Sequence, residues 1–442
     1  MSPPVDRIPN DDVLPRRVEV VVIGGGIIGS AAAYWLAKRG VPVALVEKGR
    51  IGGEQSSRNW GWCRQQGRDP AEIPLSRHSL ELWGELGTEI GTDLGFRRTG
   101  VLFVTEDDAE LASWEGWAAL AREHQVHSRV LSAAEAQALT PGSTIAWRGG
   151  LHTPSDGRAE PAKAAPAIAE AARRLGATIH QDCAARGLER EGGAVSALVT
   201  ERGTIRTRAV LCAGGAWASL FCRRHGIDLP QANVIGSALF TASAPAFTEG
   251  AIGTPRLGIR RRVDGGYTIA MRGRGTVDLV PQAVRYTRQF WPTFRLRRRG
   301  LKFRVGRAFV RELIAGARWP LDAPSPFEAV RVLDPVPDRA LLDQAVDEVG
   351  RVFPALRGLT VAERWGGVID TTPDAVPVIS PVAALPGFYL ATGFSGHGFG
   401  VGPAAGRLAA DLITGAPSAV DPAPFRYERL IDGTKLAPMT TV

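Results

Sequence analysis

The chain has 442 residues, of which 44% are hydrophobic and 22% charged, with a formal net charge of +8 at neutral pH. That length predicts two to three domains with sizeable cores. No apolar run reaches the ~18 residues of a membrane-spanning helix, and Asp6, Asp11 and Asp12 stand where a secretory leader would be apolar, so the expectation is a cytoplasmic protein. Cys63, Cys183, Cys212 and Cys222 form no C-x-x-C pair and no metal-ligand spacing with histidine, which argues against a disulfide framework and against structural zinc.

Residues 1–16 read as a flexible tail. The first element is a strand over Val18–Ile23, followed by the turn Gly24-Gly25-Gly26-Ile27-Ile28-Gly29 and a helix from Gly26 to Arg39. A G-x-G-x-x-G turn between a strand and a helix is a dinucleotide-binding entry. Gly24 permits the tight turn, Gly26 the approach of a pyrophosphate, and Gly29 close packing of helix on strand. A second strand, Val43–Val46, ends in Glu47, close to the spacing of about 20 residues at which an acid holds a ribose 2′-hydroxyl. An acid there favours an unphosphorylated ribose, as in FAD or NAD.

Next comes a polar loop, Gly49 to Trp62, rich in Gly, Ser and Asn and carrying Trp60 and Trp62. Helix Ile73–Leu86, strand Phe96–Val104, helix Asp107–Gln125 and a capped helix at Ser132–Leu139 follow. The pattern then returns to nucleotide-domain character with helix Pro161–Leu175, strand Thr178–His180, strands Arg186–Arg190 and Ala194–Thr200, and Ile205–Cys212 leading into Ala213-Gly214-Gly215-Ala216-Trp217. Antiparallel strands are expected from Val234 to Met271, with Asp264-Gly265-Gly266 as a hairpin turn between Leu257–Arg262 and Tyr267–Met271.

Between Leu279 and Val310 there is no acid, while Arg285, Arg288, Arg295, Arg297, Arg298, Arg299, Lys302, Arg304 and Arg307 gather around Phe290, Trp291 and Phe294. The stretch reads as a basic helical hairpin, solvated or in contact with a membrane surface, a partner or an anionic substrate, and with no accompanying binding module it does not argue for nucleic acid. The last third offers a second glycine-rich loop, Gly393 to Gly400, before a helix from Pro403 to Ile413. Such a loop aims N–H donors and a positive dipole end at whatever it faces, and an anionic reduced flavin would suit it. This second loop ranks FAD above NAD.

On these segments, together with Gln55-Ser56-Ser57-Arg58-Asn59 and Thr372-Pro373-Asp374-Ala375-Val376-Pro377, the chain resembles the FAD-dependent amine and amino-acid oxidoreductases: the D-amino-acid oxidase, glycine oxidase, D-amino-acid dehydrogenase and sarcosine oxidase superfamily. The resemblance runs from about Val18 to Gly415. It implies an α/β fold, with a Rossmann-like FAD-binding domain from discontinuous segments (17–95, 151–230 and 340–420), an antiparallel-sheet α+β substrate domain (96–150 and 231–339), and a C-terminal tail over 421–442. It also implies FAD contacts at Gly24, Gly26, Ile27, Ile28, Gly29, Glu47, Lys48, Ser56, Ser57, Asn59, Trp60, Ala185, Ala213, Gly214, Trp217, Gly396, His397 and Gly398.

The implied chemistry is oxidation of a C–N bond to an imine that hydrolyses to an oxo acid. The substrate would be an amino acid, a D-amino acid first, or an acidic secondary amine. An N-methyl amino acid or opine-type substrate is the alternative, and a non-catalytic flavin-binding protein a third class. No cysteine stands between Trp365 and Pro377 to bond the flavin, so FAD is expected to be non-covalent. Where relatives place a carboxylate-binding arginine this chain has Ile369, with Arg364 five positions off, which leaves Arg261, Arg272 and Arg260, with Tyr267, as candidates to position the substrate. His152 and His397 are read as structural or positioning groups. The basic segment 285–307 is the expected contact for a membrane surface or a quinone acceptor.

Overall fold

The protein is described by a computed structural model covering residues 3–306, 309–310, 312–313, 316 and 318–437. Arg307, at the end of the basic segment, lies outside the described residues. The nucleotide half is built on a six-stranded sheet in the order Val378–Pro381, Phe388–Thr392, Ala209–Cys212, Val20–Ile23, Val43–Val46 and Thr178–His180. Its strands are parallel apart from the first. Short, continuously apolar strands such as Val43–Val46 are buried on both faces, as a sheet covered by helices requires.

The helix Ile27–Lys38 lies under this sheet between the helices Pro161–Arg174 and Gly398–Thr414. Small residues allow that approach. A Cβ added at Gly406 would stand 2.5 Å from the Ala31 Cβ, and one at Gly402 would stand 2.7 Å from Ile27 Cγ1.

The second half is a ten-stranded sheet in which Ala232–Thr241, Tyr267–Met271, Leu257–Arg261, Ala251–Gly253, Val101–Thr105 and Gly149–Thr153 follow one another, with Val361–Thr371 paired along Ala232–Thr241. Alternation gives the sheet two faces. Tyr267, Ile269, Leu257 and Ile259 pack on one face against Leu342, Ala345 and Val349 of the helix Arg339–Val352. Ala238, Ala270 and Trp365 occupy the other, with Trp60 and Phe240.

Several boundaries differ from the sequence reading for physical reasons. The strand expected from Phe96 is confined to Val101–Thr105. Ile205–Cys212 divides at Thr207, whose hydroxyl donates to the Glu19 and Ala209 carbonyls. The helix expected from Pro403 starts at Gly398, and the Gly400 carbonyl accepts from Ser79 Oγ at 2.8 Å and Trp83 Nε1 at 2.9 Å. The basic stretch begins with helices over Pro281–Arg285 and Thr287–Arg297 and a 3-10 turn over Arg298–Gly300, after which Leu301–Arg304 joins Gly275–Asp278 as a parallel strand, with Arg304 paired to Asp278. The N-terminal segment, read as a tail, runs along the nucleotide half: Asp11 bonds Ile179 through both backbone and carboxylate. Past residue 421, Phe425 and Leu430 are buried and Arg429 pairs with Asp374.

Candidate active site

A cavity opens at the carboxyl ends of the parallel strands, where ligands of open α/β sheets sit. At its centre is the first glycine turn. Gly24 has φ +103, and a Cβ there would lie 2.4 Å from the Ala213 carbonyl oxygen, so this position requires glycine. Gly29 is equally constrained, because its Cβ would meet the Gly24 carbonyl at 1.9 Å. Gly26 begins the helix with no side-chain cap, leaving N–H donors at the cavity. Ser56 Oγ accepts from Ile27 N at 2.8 Å and so ties the following loop to that turn.

Glu47 lines one end of the cavity. Its carboxylate accepts from Gly25 N at 2.7 Å and Gly49 N at 2.8 Å, which fixes its orientation while burial raises its pKa. Lys48 lines the cavity too, but its ammonium is committed to Glu54 and to the Val330 and Arg331 carbonyls, and lies 4.6 Å from the Trp217 ring centroid. At the other end stand Val368, Asp370, Phe394, Gly396, Gly398 and Phe399. There the Asp370 carboxylate accepts from Gly393 N at 2.6 Å and Thr392 Oγ1 at 3.1 Å, folding the second glycine loop back over the start of the helix Gly398–Thr414.

Of the expected cofactor contacts, Gly24, Gly26, Ile27, Ile28, Glu47, Lys48, Ser56, Asn59, Ala185, Ala213, Gly214, Trp217, Gly396 and Gly398 line this cavity together. Four do not. Gly29 lies beneath the turn. Ser57 bonds the Glu54 carbonyl. Trp60 packs on the substrate sheet, against Trp62 and over Gly258. His397 is buried, with Nδ1 at 3.2 Å from Glu72, and its pKa falls to about 4 through burial and the nearby Arg68. It is therefore uncharged at neutral pH. Glu54, Phe327, Val368 and Asp370 also line the cavity and were not anticipated. Phe327 carries no periodic signal, whereas Glu54 lies within the polar loop already singled out.

The substrate-side candidates separate clearly. Arg260 is buried in an ion pair with Glu160 at 2.7 Å and also bonds the Ala159 carbonyl, so it is spent on structure. Arg261 lies on the opposite face, over the Tyr267 ring, with Nη1 on the Ala244 carbonyl, which removes the first-choice clamp. Tyr267 is buried and its hydroxyl donates to the Pro245 carbonyl. His152 packs against Gly100, and Arg364 bonds Asp343.

Arg272 remains. Its guanidinium lies 4.4 Å from the Phe103 ring centroid and donates to the Thr254 carbonyl, with no acid in salt-bridge reach among the described residues. Arg64, missed by the sequence reading, stands on the same ring at 5.4 Å, likewise without an ion pair among the described residues. Burial, then repulsion from Arg68 and Arg272, pulls its pKa well down. The Arg64 backbone abuts Gly400, in the first turn of the helix whose start lines the cavity. Ile369 stands nearby, close to Gly236 and Gly396.

Comparison with known proteins agrees with this geometry. The family profile described as "DAO: FAD dependent oxidoreductase" matches residues 19–412. Glycine oxidase from Pseudomonas aeruginosa is 25% identical over 92% of this chain and 97% of its own length. The solved L-amino acid deaminase from Proteus myxofaciens, in complex with anthranilate, is 31% identical and covers 97% of each chain at a TM-score of 0.93. The L-proline dehydrogenase structure from P. horikoshii is 26% identical, covering 95% of this chain and 99% of its own, at a TM-score of 0.78.

Proposed function

Because the chain belongs to the DAO family of FAD-dependent oxidoreductases, we propose that it oxidises the C–N bond of an α-amino acid whose carboxylate is held between Arg272 and Arg64. It is a flavoprotein of amino-acid or amine oxidation. The cavity fits FAD on its own terms: open N–H donors at Gly26, an oriented acid at Glu47, and a second glycine loop at the far end. FAD, when bound, accepts a hydride from the carbon next to nitrogen, and water then hydrolyses the imine.

The observation that carries the substrate reading is the pair of guanidiniums at Phe103. A buried cation without an anion is costly, and a substrate carboxylate supplies the anion with charge-assisted hydrogen bonds. The rest of the chain's part is orientation. His397, its pKa down to about 4, does not line the cavity and Tyr267 spends its hydroxyl on Pro245, so neither is assigned to take a proton, and the substrate ammonium gives its proton to solvent before the hydride leaves. The likeness to L-amino acid deaminase over nearly the full chain puts L-amino acids ahead of the D-amino acids that the sequence reading favoured. The test is anaerobic bleaching of the flavin by a panel of L-amino acids, D-amino acids and N-alkyl glycines. Bleaching confined to amines lacking a carboxylate would reject the reading.

The electron acceptor is read as a quinone or other carrier rather than oxygen, reached through the basic surface over 281–304. Trp291, Leu296 and Phe303 are 52%, 44% and 42% exposed there, beside Arg288 and Arg295 of the same segment. Interspersed aromatics and cations suit an anionic interface. No helix among the described residues is long and apolar enough to cross a membrane, so this contact would be peripheral. Peroxide formation as fast as quinone reduction would reject it.

A further inference from the structure

The segment 319–335 has neither helix nor strand, yet it is fastened at every few residues across the cofactor cavity. Trp319 Nε1 donates to the Arg186 carbonyl at 2.8 Å. Glu328 takes Arg186 in a two-pronged pair, both contacts at 2.9 Å, and its carboxylate also accepts from Ser325 N at 2.8 Å. Arg331 forks onto Glu201 and donates to the Lys48 carbonyl, while Lys48 donates to the Val330 and Arg331 carbonyls at 2.8 and 3.0 Å. Leu333 N donates to Glu54 at 2.9 Å, and Asp334 accepts from Arg58 at 2.7 Å. Between these fastenings Phe327 turns inward. It is 4% exposed, lines the cavity, and meets Trp217, Phe221 and Trp319 at ring-centroid distances of 5.8, 6.1 and 5.4 Å.

The crossing is centred on one end, and its last residues, Asp334 and Pro335, run on to Arg58 and to Gly366 of the strand Val361–Thr371. The fastening partners Lys48 and Arg186 directly follow Glu47 and Ala185 in sequence, and Cys183 N donates to the Glu47 carbonyl, so both belong to the end of the cavity that carries the ribose acid. Phe394, Gly396, Gly398 and Phe399 line the opposite end.

We infer that residues 319–335 form a strap that retains FAD by its adenosine half, with Phe327 as the apolar contact and the Arg186–Glu328 and Arg331–Glu201 pairs as its fastenings. The strap lies across the adenosine end, so the cofactor leaves only after the strap is unhooked, and the ion pairs set how often that happens. Phe327 withdraws from an aromatic box when it opens, which adds to the barrier. Local opening of an irregular, side-chain-fastened segment is the kind of sub-global event that precedes global unfolding.

The test follows FAD release from purified holoprotein, read as recovery of free-FAD fluorescence after dilution. Phe327→Ala should release FAD about tenfold faster or more, and Glu328→Gln several-fold faster, while Phe327→Tyr stays near wild type. The visible flavin spectrum and the flavin midpoint potential should stay unchanged in all three. Unchanged release in both Phe327→Ala and Glu328→Gln would overturn the inference. So would faster release accompanied by a shifted midpoint potential, which would mean that the whole cavity had loosened. Should Phe327→Ala fail to fold, Glu328→Gln with Glu201→Gln decides the matter alone.

Discussion

Arg272, just past the strand Tyr267–Met271, and Arg64, from the loop after Trp62, bring their guanidiniums to one ring, Phe103, at 4.4 and 5.4 Å, and neither has an acid within salt-bridge reach among the described residues, though Asp156 and Glu72 act on Arg64 from further off. Replacing Arg272 with methionine should raise KM and lower kcat/KM by about 10²-fold or more, the equivalent of ~3 kcal/mol of charge-assisted hydrogen bonding. Arg261→Met should stay within a few-fold of wild type, because Arg261 lies on the far face over Tyr267. Steady-state kinetics on the best substrate of the anaerobic panel checks both, and a reversed order would refute the clamp.

Gly26→Val should yield folded protein without flavin. A Cβ at Gly26 reaches 3.0 Å from Ser56 Oγ, and the further methyl groups enter the space of the pyrophosphate. Gly29→Val should be worse, because its Cβ strikes the Gly24 carbonyl at 1.9 Å and splits helix from strand. The ratio of flavin to protein absorbance, beside far-ultraviolet circular dichroism, separates the two outcomes. A normal flavin content in Gly26→Val would remove the turn from the binding site.

Acid or heat precipitation should free intact FAD into the supernatant. The four cysteines are buried thiols, and none stands between Trp365 and Pro377. Yellow colour retained in a denatured pellet would show a covalent bond.

Asp156 should make stability fall as pH rises. It is fully buried, accepts from the Gln65 and Gln66 amides, and burial above all raises its pKa from 3.8 to about 7. Between those values the unfolded chain gives up the proton and the folded chain keeps it, so folding loses free energy across that window. The gap is worth at most ~4 kcal/mol. Thermal midpoints at pH 5 and pH 8 should therefore differ more for wild type than for Asp156→Asn. Parallel curves would contradict the assignment.

The sequence made legible whatever rests on local rules. The first glycine turn, Val43–Val46, Thr178–His180, and the Ser132–Glu135 capping box fall where spacing and propensity put them. It was silent where long-range pairing decides. Nothing around Arg260 announces Glu160, a hundred positions away, and nothing in Arg261 distinguishes the face over Tyr267 from the cofactor side until the register with Tyr267–Met271 is known. A register is a single integer, but it inverts every side chain of a strand. Arg64 escaped notice for a related reason: its role comes from a ring and a helix start supplied by distant segments.

The strand Val361–Thr371 pairs with Ala232–Thr241 along its length, and Asp370, its penultimate residue, grips Thr392 and Gly393. One rigid rod thus belongs to both halves of the molecule, like a splint set across a joint. The large sheet and the second glycine loop are therefore spaced by one covalent segment rather than by packing alone. Any change in the distance between the two halves would have to break this strand's pairing with Ala232–Thr241 or the grip of Asp370 on Thr392 and Gly393.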